Sequence, residues 1–378
     1  MMMKQRADLN KIKRIVLKVG SSLLADKEHG INTTMVQRLA RDIKVLHDKQ
    51  IEVCLVSSGA VALGRVQLGW LDKKLSVHEK QAAAAIGQPM LMHAYQQAFS
   101  ELGLVVAQML LTKDDLRHRR RYINASNTSK TLFAAKVVPI VNENDTVVVE
   151  EIKFGDNDSL GALVSTVVDA DLMVMMTDVD GLYDENPVEN KNAKRISTVK
   201  KLSSEVMAMA GDVGSSFGTG GMISKLNAAR ISTKNGIAAA IINGLEDQSL
   251  MKLLDGKDVG TIFLCGKDRH SMHQHWIANL LPVSGKLFIS NQAAEVMKED
   301  GKDLFADQLL SIEGEFDKGE CVEIWDEDNL IARGLTNYNL EDMHKLIGVS
   351  SEKIESILGY VDFLSMVHSS NLVFLNKD

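Results

Sequence analysis

Short apolar runs alternate with longer amphipathic ones along most of the chain. "RIVLKVG" (14–20), "IEVCLVSSGA" (51–60), "LVVAQMLLT" (104–112), "VVPIVNEND" (137–145) and "DLMVMMTDVDG" (171–181) are rich in β-branched and other apolar residues. Runs that are apolar almost throughout, rather than at every second position, predict strands buried on both faces. Between them lie helical patterns. Met35, Leu39, Ile43 and Leu46 recur at helical spacing, with Asn32 or Thr33 as N-cap. Residues 77–103 predict a helix bent at Gly87-Gln88-Pro89. Residues 112–136 predict a helix opened by Thr112, with Asp115 three positions on. "GIAAAIINGLE" (236–246) and "VGTIF" (259–263) complete the series.

Buried strands alternating with helices predict an α/β fold, a mostly parallel sheet sandwiched by helices. Such sheets bind ligands beyond the carboxyl ends of their strands. The segments that follow the strands are "KVGSS", "VSSGA", "VNEND" and "MTDVDG". In a parallel sheet these polar and glycine-rich loops share one edge.

After Pro282 the pattern changes. "CVEIWDEDNLIARGLTNYN" (321–339) alternates over short stretches around an acidic turn at Asp326–Asn329, and Gly314, Gly319 and Gly334 punctuate the region. This predicts a small, mainly β domain. Charge supports the division. Residues 283–378 hold 19 acidic and 8 basic side chains, a net of −11, whereas the whole chain is −7, which leaves +4 on residues 1–282. The expected organisation is a larger α/β domain over 1–267, a linker over 268–282 and the small domain over 283–378. The positive part is the one suited to an anionic substrate.

Composition narrows the class. At 45% hydrophobic and 25% charged residues, the 378-residue chain is that of an ordinary soluble globular protein. No apolar run approaches the roughly 18 residues of a membrane span, and the basic N-terminus lacks a signal-peptide core. Cys54, Cys265 and Cys321 are far apart and form no C-x-x-C pair, which fits a cytoplasmic location.

Three constellations carry candidate chemistry. In "LKVGSS" (17–22), Gly20 and the serines can turn backbone N–H groups toward phosphate, with Lys18 beside them. A strand-edge lysine before an ordinary turn reads the same way. In "GTGGMISKLNAAR" (218–230), glycines precede a helix whose first turn holds Lys225. That places an anion site at a helix N-terminus or, equally, a mobile glycine loop. The spacing matches neither a Walker A loop nor G-x-G-x-x-G. The third is the pair "NEND" and "GDND", with Glu143, Asp145, Asp156 and Asp158. Asn and Asp also form caps and turns. Grouped at one sheet edge they suit cations: lysines to be held, Mg²⁺ reached through water, or a substrate ammonium.

Other clusters read as structural. "RHRRRY" (117–122) predicts a solvated helix face or an oligomer contact rather than a nucleic-acid site. His270, His273 and His275 lack a carboxylate or cysteine at motif spacing and read as a solvated linker, so no metal site is expected. No G-x-S-x-G elbow is present.

Taken in order, "LKVGSS", "VSSGAVALGR", "INASNT", "VPIVNENDTV", "KFGDNDSLGALVS", "TDVDGLYDENP" and "GTGGMISK" resemble the amino acid kinase family. The tail resembles a PUA domain, departing from its pattern at "KDLFADQLLSIEG". The resemblance implies the amino acid kinase fold with a PUA-like domain. It also implies ATP-dependent phosphorylation of the side-chain carboxylate of L-glutamate to γ-glutamyl phosphate, with Mg²⁺, opening proline biosynthesis. By the same resemblance, Lys18 and Lys225 stabilise the moving phosphoryl group and Asp158 orients them. Ser58, Asp145 and Asn157, with Asp156 beside them, bind glutamate. Thr177 and Asp178 form one nucleotide-binding turn, and a second runs from Thr219 through Gly220, Gly221 and Met222 to Lys225. Gly20 joins Lys18 at the nucleotide. Feedback inhibition by proline, a homo-oligomer and a link to glutamyl phosphate reductase follow from the resemblance alone. The same fold serves kinases of aspartate, acetylglutamate and nucleoside monophosphates. The alternative of RNA binding through the tail is opposed by its negative charge.

Overall fold

The computed structural model describes residues 3, 5–26, 30–147, 157–187, 189–209, 221–266, 274, 277–278, 281–300, 303–326 and 329–375. The chain divides into two units, Met1–Asp268 and Arg269–Asp378.

In the first unit, β1 (Arg14–Val19) leads through α1 (Ser21–Leu24) and the paired β2 (Ala25–Asp26) and β3 (Gly30–Ile31) to α2 (Thr33–Asp48). Asn32 caps α2 by accepting a hydrogen bond from the Met35 N–H. Next come β4 (Glu52–Val56), α3 (Ala60–Gln67), α4 (Val77–Ser100) and β5 (Val106–Leu111). After α5 (Lys113–Arg117), α6 (Arg119–Ala134), β6 (Val138–Glu143) and α7 (Asn157–Val167) comes β7 (Leu172–Thr177). The unit closes with β8 (Thr198–Val199), α8 (Ser204–Ala208), α9 (Met222–Lys234), β9 (Ala238–Asn243), α10 (Ser249–Leu254) and β10 (Thr261–Phe263).

Eight of these strands form one sheet in the order β5-β6-β4-β1-β7-β9-β10-β8. All its pairings are parallel except β10 with β9. The sheet is buried on both sides because its strands are apolar on both faces. Ile15, Leu17 and Val19 of β1, with Leu172, Val174 and Met176 of β7, join a core with residues of α2 and α4. Val16 packs on the opposite side with Leu160 and Val164 of α7, and Met173 and Met175 pack with Leu226 and Ala229 of α9.

The helix expected over 112–136 is two helices. Thr112 does open the first through a reciprocal cap with Asp115. His118, with an extended ψ of 117°, then ends α5 and becomes the N-cap of α6. By contrast α4 is continuous, with Pro89 inside it. Its Gly87 serves close packing: a Cβ there would lie 1.9 Å from the Ala60 carbonyl oxygen of α3. Gly64 of α3 mirrors this: a Cβ there would lie 1.8 Å from the Ala83 carbonyl oxygen. Only hydrogen side chains allow the two backbones to approach this far.

The second unit holds a six-stranded sheet ordered β12-β16-β15-β14-β11-β13. Its strands are β11 (Val283–Ile289), β12 (Leu304–Phe305), β13 (Leu309–Gly314), β14 (Cys321–Asp326), β15 (Asn329–Thr336) and β16 (Ser365–Phe374). β14 pairs antiparallel with β15, with Asp326 opposite Asn329 on either side of the segment expected as an acidic turn. The unusual "KDLFADQLLSIEG" stretch supplies β12, a 3-10 turn at Ala306–Gln308 and β13. Leu287, Ile324, Met343 and Met366 belong to a separate hydrophobic core.

Candidate active site

Strands β1, β4, β6 and β7 run parallel, so the segments after Val19, Val56, Glu143 and Thr177 emerge at one edge. The Gly20 N–H donates to the Met176 carbonyl oxygen at 3.0 Å, tying the turn after β1 to the end of β7. Lys18 lies one residue before the end of β1, with only 6% of its surface exposed.

Helix α7 crosses above it. Gly161 faces the Lys18 stem, where a Cβ would stand 3.5 Å from Lys18 Cβ and 2.7 Å from Met173 Cε. That close seat brings the first turn of α7 to the lysine head group. Lys18 Nζ is 2.5 Å from Asp158 Oδ1. Lys225 Nζ, from the first turn of α9, is 3.3 Å from Asp158 Oδ2. Ser224 Oγ donates to the same Oδ2 at 2.6 Å. All three charged groups are buried. Two cations and one anion leave a net positive charge in a region of low dielectric, where it strongly attracts an anion. Burial alone would raise the Asp158 carboxyl. The Lys18 and Lys225 ammonium groups, with hydrogen bonds from Lys18 and Ser224, outweigh burial and hold it below the usual carboxylate range.

A neutral polar cluster occupies the neighbouring strand ends. Asn157, the first residue of α7, donates through Nδ2 to the Ser57 carbonyl oxygen at 2.6 Å, to Asn142 Oδ1 at 2.9 Å and to Ser58 Oγ at 3.2 Å. Ser57 Oγ is 3.0 Å from the buried Tyr95 hydroxyl. Asp145 sits in the turn after β6, and burial pushes its carboxyl up to about 6. At the end of β7, Thr177 Oγ1 donates to Asp178 Oδ1 at 2.9 Å, and the Gly244 N–H donates to the Thr177 carbonyl oxygen at 2.7 Å.

Lys18, Asp158 and Lys225 thus meet, and so do Ser58 and Asn157. Gly221 is the N-cap of α9 and Met222 its first residue. Asp156, Thr219 and Gly220 lie outside the described residues, as do His270, His273 and His275. Sequence reasoning missed Ser224, Asn142 and Ser57. Ser224 and Asn142 had a usable signal: the first directly precedes Lys225, and the second ends an apolar strand run. Among the described residues, no three His, Cys, Asp or Glu side chains converge as a metal cage. Among them, too, no helix is long and apolar enough to cross a membrane.

The amino acid kinase family model matches residues 13–243, and the PUA domain model matches residues 285–358. Curated relatives cover nearly the whole chain. A glutamate 5-kinase from Geobacter sulfurreducens is 45% identical over 368 residues, which are 97% of this chain and 99% of the relative. One from Geobacter metallireducens is 45% identical over 370 residues, 98% and 99% of the two chains. One from Thermoanaerobacter pseudethanolicus is 43% identical over 365 residues, 96% and 98% of the two chains. Among solved structures, UMP kinase from Ureaplasma parvum shares the fold, with a TM-score of 0.50 at 18% identity over 67% of this chain and 98% of that one. With its lysine–aspartate–lysine centre at the carboxyl edge of a mostly parallel sheet, the chain belongs to the amino acid kinase family and carries a PUA domain after its kinase domain.

Proposed function

We propose that this protein transfers the γ-phosphoryl group of ATP to the side-chain carboxylate of L-glutamate, giving γ-glutamyl phosphate and ADP at the start of proline biosynthesis. The observation that carries the reading is the single carboxylate of Asp158 shared by Lys18 and Lys225. A glutamate carboxylate oxygen forms the new bond to the γ-phosphorus. The bond to the β–γ bridging oxygen breaks, and ADP leaves with that electron pair. The acceptor is already ionised at neutral pH, since its ordinary pKa is about 4.3. No general base is needed, and the difficulty is bringing one anion up to another.

Positioning and charge therefore do the catalytic work. Lys18 and Lys225 meet the charge on the transferring phosphoryl oxygens. Asp158 offsets their mutual repulsion and fixes both head groups before the nucleotide arrives, and Ser224 steadies Asp158. Thr177, Asp178 and the segment from Thr219 to Lys225 hold the nucleotide, with Gly20 at the phosphates. Ser58, Asp145, Asp156 and Asn157 take the amino acid, the carboxylates and amide oxygen meeting its ammonium. Mg²⁺ would arrive on the nucleotide, its oxygen ligands mostly phosphates and water. When bound, Mg²⁺ would supply charge neutralisation at the phosphates.

The same reading includes feedback inhibition by proline, whose ammonium and carboxylate match those of glutamate. It includes a homo-oligomer and delivery of the labile acyl phosphate to a reductase. Three free, buried cysteines support a cytoplasmic setting. The catalytic domain then spans 1–267, the linker 268–282 and the PUA domain 283–378. Trapping the product with hydroxylamine tests the function. Glutamate-dependent formation of the γ-hydroxamate is expected. Activity confined to aspartate, N-acetylglutamate or a nucleoside monophosphate overturns the reading.

A further inference from the structure

Resting on that reading, we infer that Gln88 of α4 is a positioning residue for the amino-acid acceptor, acting through Asn142 on Asn157. Gln88 is 9% exposed, and its Oε1 accepts a hydrogen bond from Asn142 Nδ2 at 2.7 Å. Asn142, itself 2% exposed, accepts through Oδ1 from the Glu143 backbone N–H at 3.0 Å and from Asn157 Nδ2 at 2.9 Å. A backbone N–H can only donate, so the Asn142 amide has one allowed orientation. Its Nδ2 then needs an acceptor, and Gln88 Oε1 is the one it finds. Asn157 is fixed in turn, because the Asn142 Oδ1 and the Ser57 carbonyl oxygen accept only. Both demand its NH₂ end. The remaining Asn157 Oδ1 is left to accept, and an acceptor is what a substrate ammonium requires.

The polarity of the whole row is thus set by the backbone and held at its far end by Gln88. The orientation of Gln88 carries a penalty of its own. With Oε1 on Asn142, its buried Nε2 has no hydrogen-bond partner among the described residues. Such a group normally destabilises a fold. An apolar side chain at position 88 would avoid that cost, and the glutamine is explained by what its oxygen holds. Gly87 lets it reach: α4 lies so close to α3 that a Cβ at 87 would enter the Ala60 carbonyl.

The test compares Gln88→Met with Gln88→Glu in the full-length protein. Met keeps the length and removes the acceptor, and Glu keeps an acceptor oxygen. Steady-state KM and kcat are measured for L-glutamate, for ATP, and for glutarate, which lacks the ammonium. Gln88→Met is expected to raise the KM for glutamate about tenfold or more, the loss typical of one hydrogen bond to a charged group. The ATP KM and kcat should stay within about twofold, and the glutarate KM should change far less than that of glutamate. Gln88→Glu should recover most of the glutamate affinity. The inference is overturned if Gln88→Met leaves the glutamate KM unchanged, shifts glutamate and glutarate equally, or weakens ATP as much. A wild-type enzyme with no glutamate-dependent turnover overturns the function itself, a distinct outcome.

Discussion

Lys18 and Lys225 approach different oxygens of one buried carboxylate, Asp158, at 2.5 and 3.3 Å. Strand β1, helix α7 and helix α9 contribute one charged group each, so the centre exists only when the sheet and both helices are assembled. The two ammonium groups are held together before any phosphate binds. Less rearrangement remains when the nucleotide arrives, which is the content of electrostatic preorganisation.

Asp158→Asn retains the shape and removes the charge. Turnover is expected to fall roughly 10²–10³-fold, the loss typical of one preorganised group. Lys18→Met and Lys225→Met should each fall by a similar factor, with glutamate KM changed little. Breaking the buried cluster also destabilises the unliganded protein, by about 3–5 kcal/mol. ATP replaces the missing negative charge, so its thermal shift should be larger in Asp158→Asn than in the wild type. The sign of the pH effect follows from the depressed carboxyl. Its stabilising contribution is complete above the ordinary carboxylate range and disappears as pH falls through the folded-state value. Wild type and Asp158→Asn should therefore converge in acid unfolding experiments. A variant with wild-type turnover would remove Asp158 from the mechanism.

Helix packing around the acceptor gives a second prediction. A methyl group at Gly87 meets the Ala60 carbonyl and the Gly64 nitrogen, both backbone atoms that cannot swing away. Gly87→Ala should cost about 1–3 kcal/mol, as overpacked core positions do. Calorimetry should show the first unit melting several degrees lower. Glutamate KM should rise together with that loss, because the helix displaced by the methyl carries Gln88. An unaltered melting point would contradict the close approach of α3 and α4.

The strands and the shared loop edge were legible because apolar runs and polar turns are local signals. Lys18, Asp158 and Lys225 were legible one by one, through short motifs, whereas their meeting depends on three elements packing together. His118 was not legible as a helix break: "RHRRRY" has no proline or glycine, and the break shows only in the backbone. Gln88 was hidden between Gly87 and Pro89, which signal a bend. The glycine also marks a helix contact, information that resides in α3. The reversed direction of β10 was equally silent, since a three-residue strand reads the same either way.

The second unit has its own hydrophobic core, and none of the residues assigned to phosphoryl transfer lies in it. A chain ending at Asp268 should therefore keep the glutamate and ATP KM values within a few fold. A drop in kcat alone would point to a regulatory contribution from the PUA domain. Loss of all activity in a truncated chain that still unfolds cooperatively would place part of the site in residues 269–378.

If Asp145 meets the substrate ammonium, as proposed, it should set the pH dependence of substrate capture. Burial holds its carboxyl at about 6, above the ordinary value, so the folded protein keeps that proton to a higher pH than the unfolded chain does. Stability from this group is therefore greatest in acid and declines as pH rises through about 6. Binding runs the other way, because only the ionised form pairs with an ammonium. The KM for glutamate should be flat above pH 7 and rise toward about tenfold per pH unit below the Asp145 value. ATP KM should show no matching rise over the same range. Asp145→Asn should raise the glutamate KM at neutral pH and flatten its dependence between pH 5 and 7. Steady-state kinetics at constant ionic strength reads both effects. A wild-type profile flat down to pH 5 would show that Asp145 does not meet the substrate ammonium.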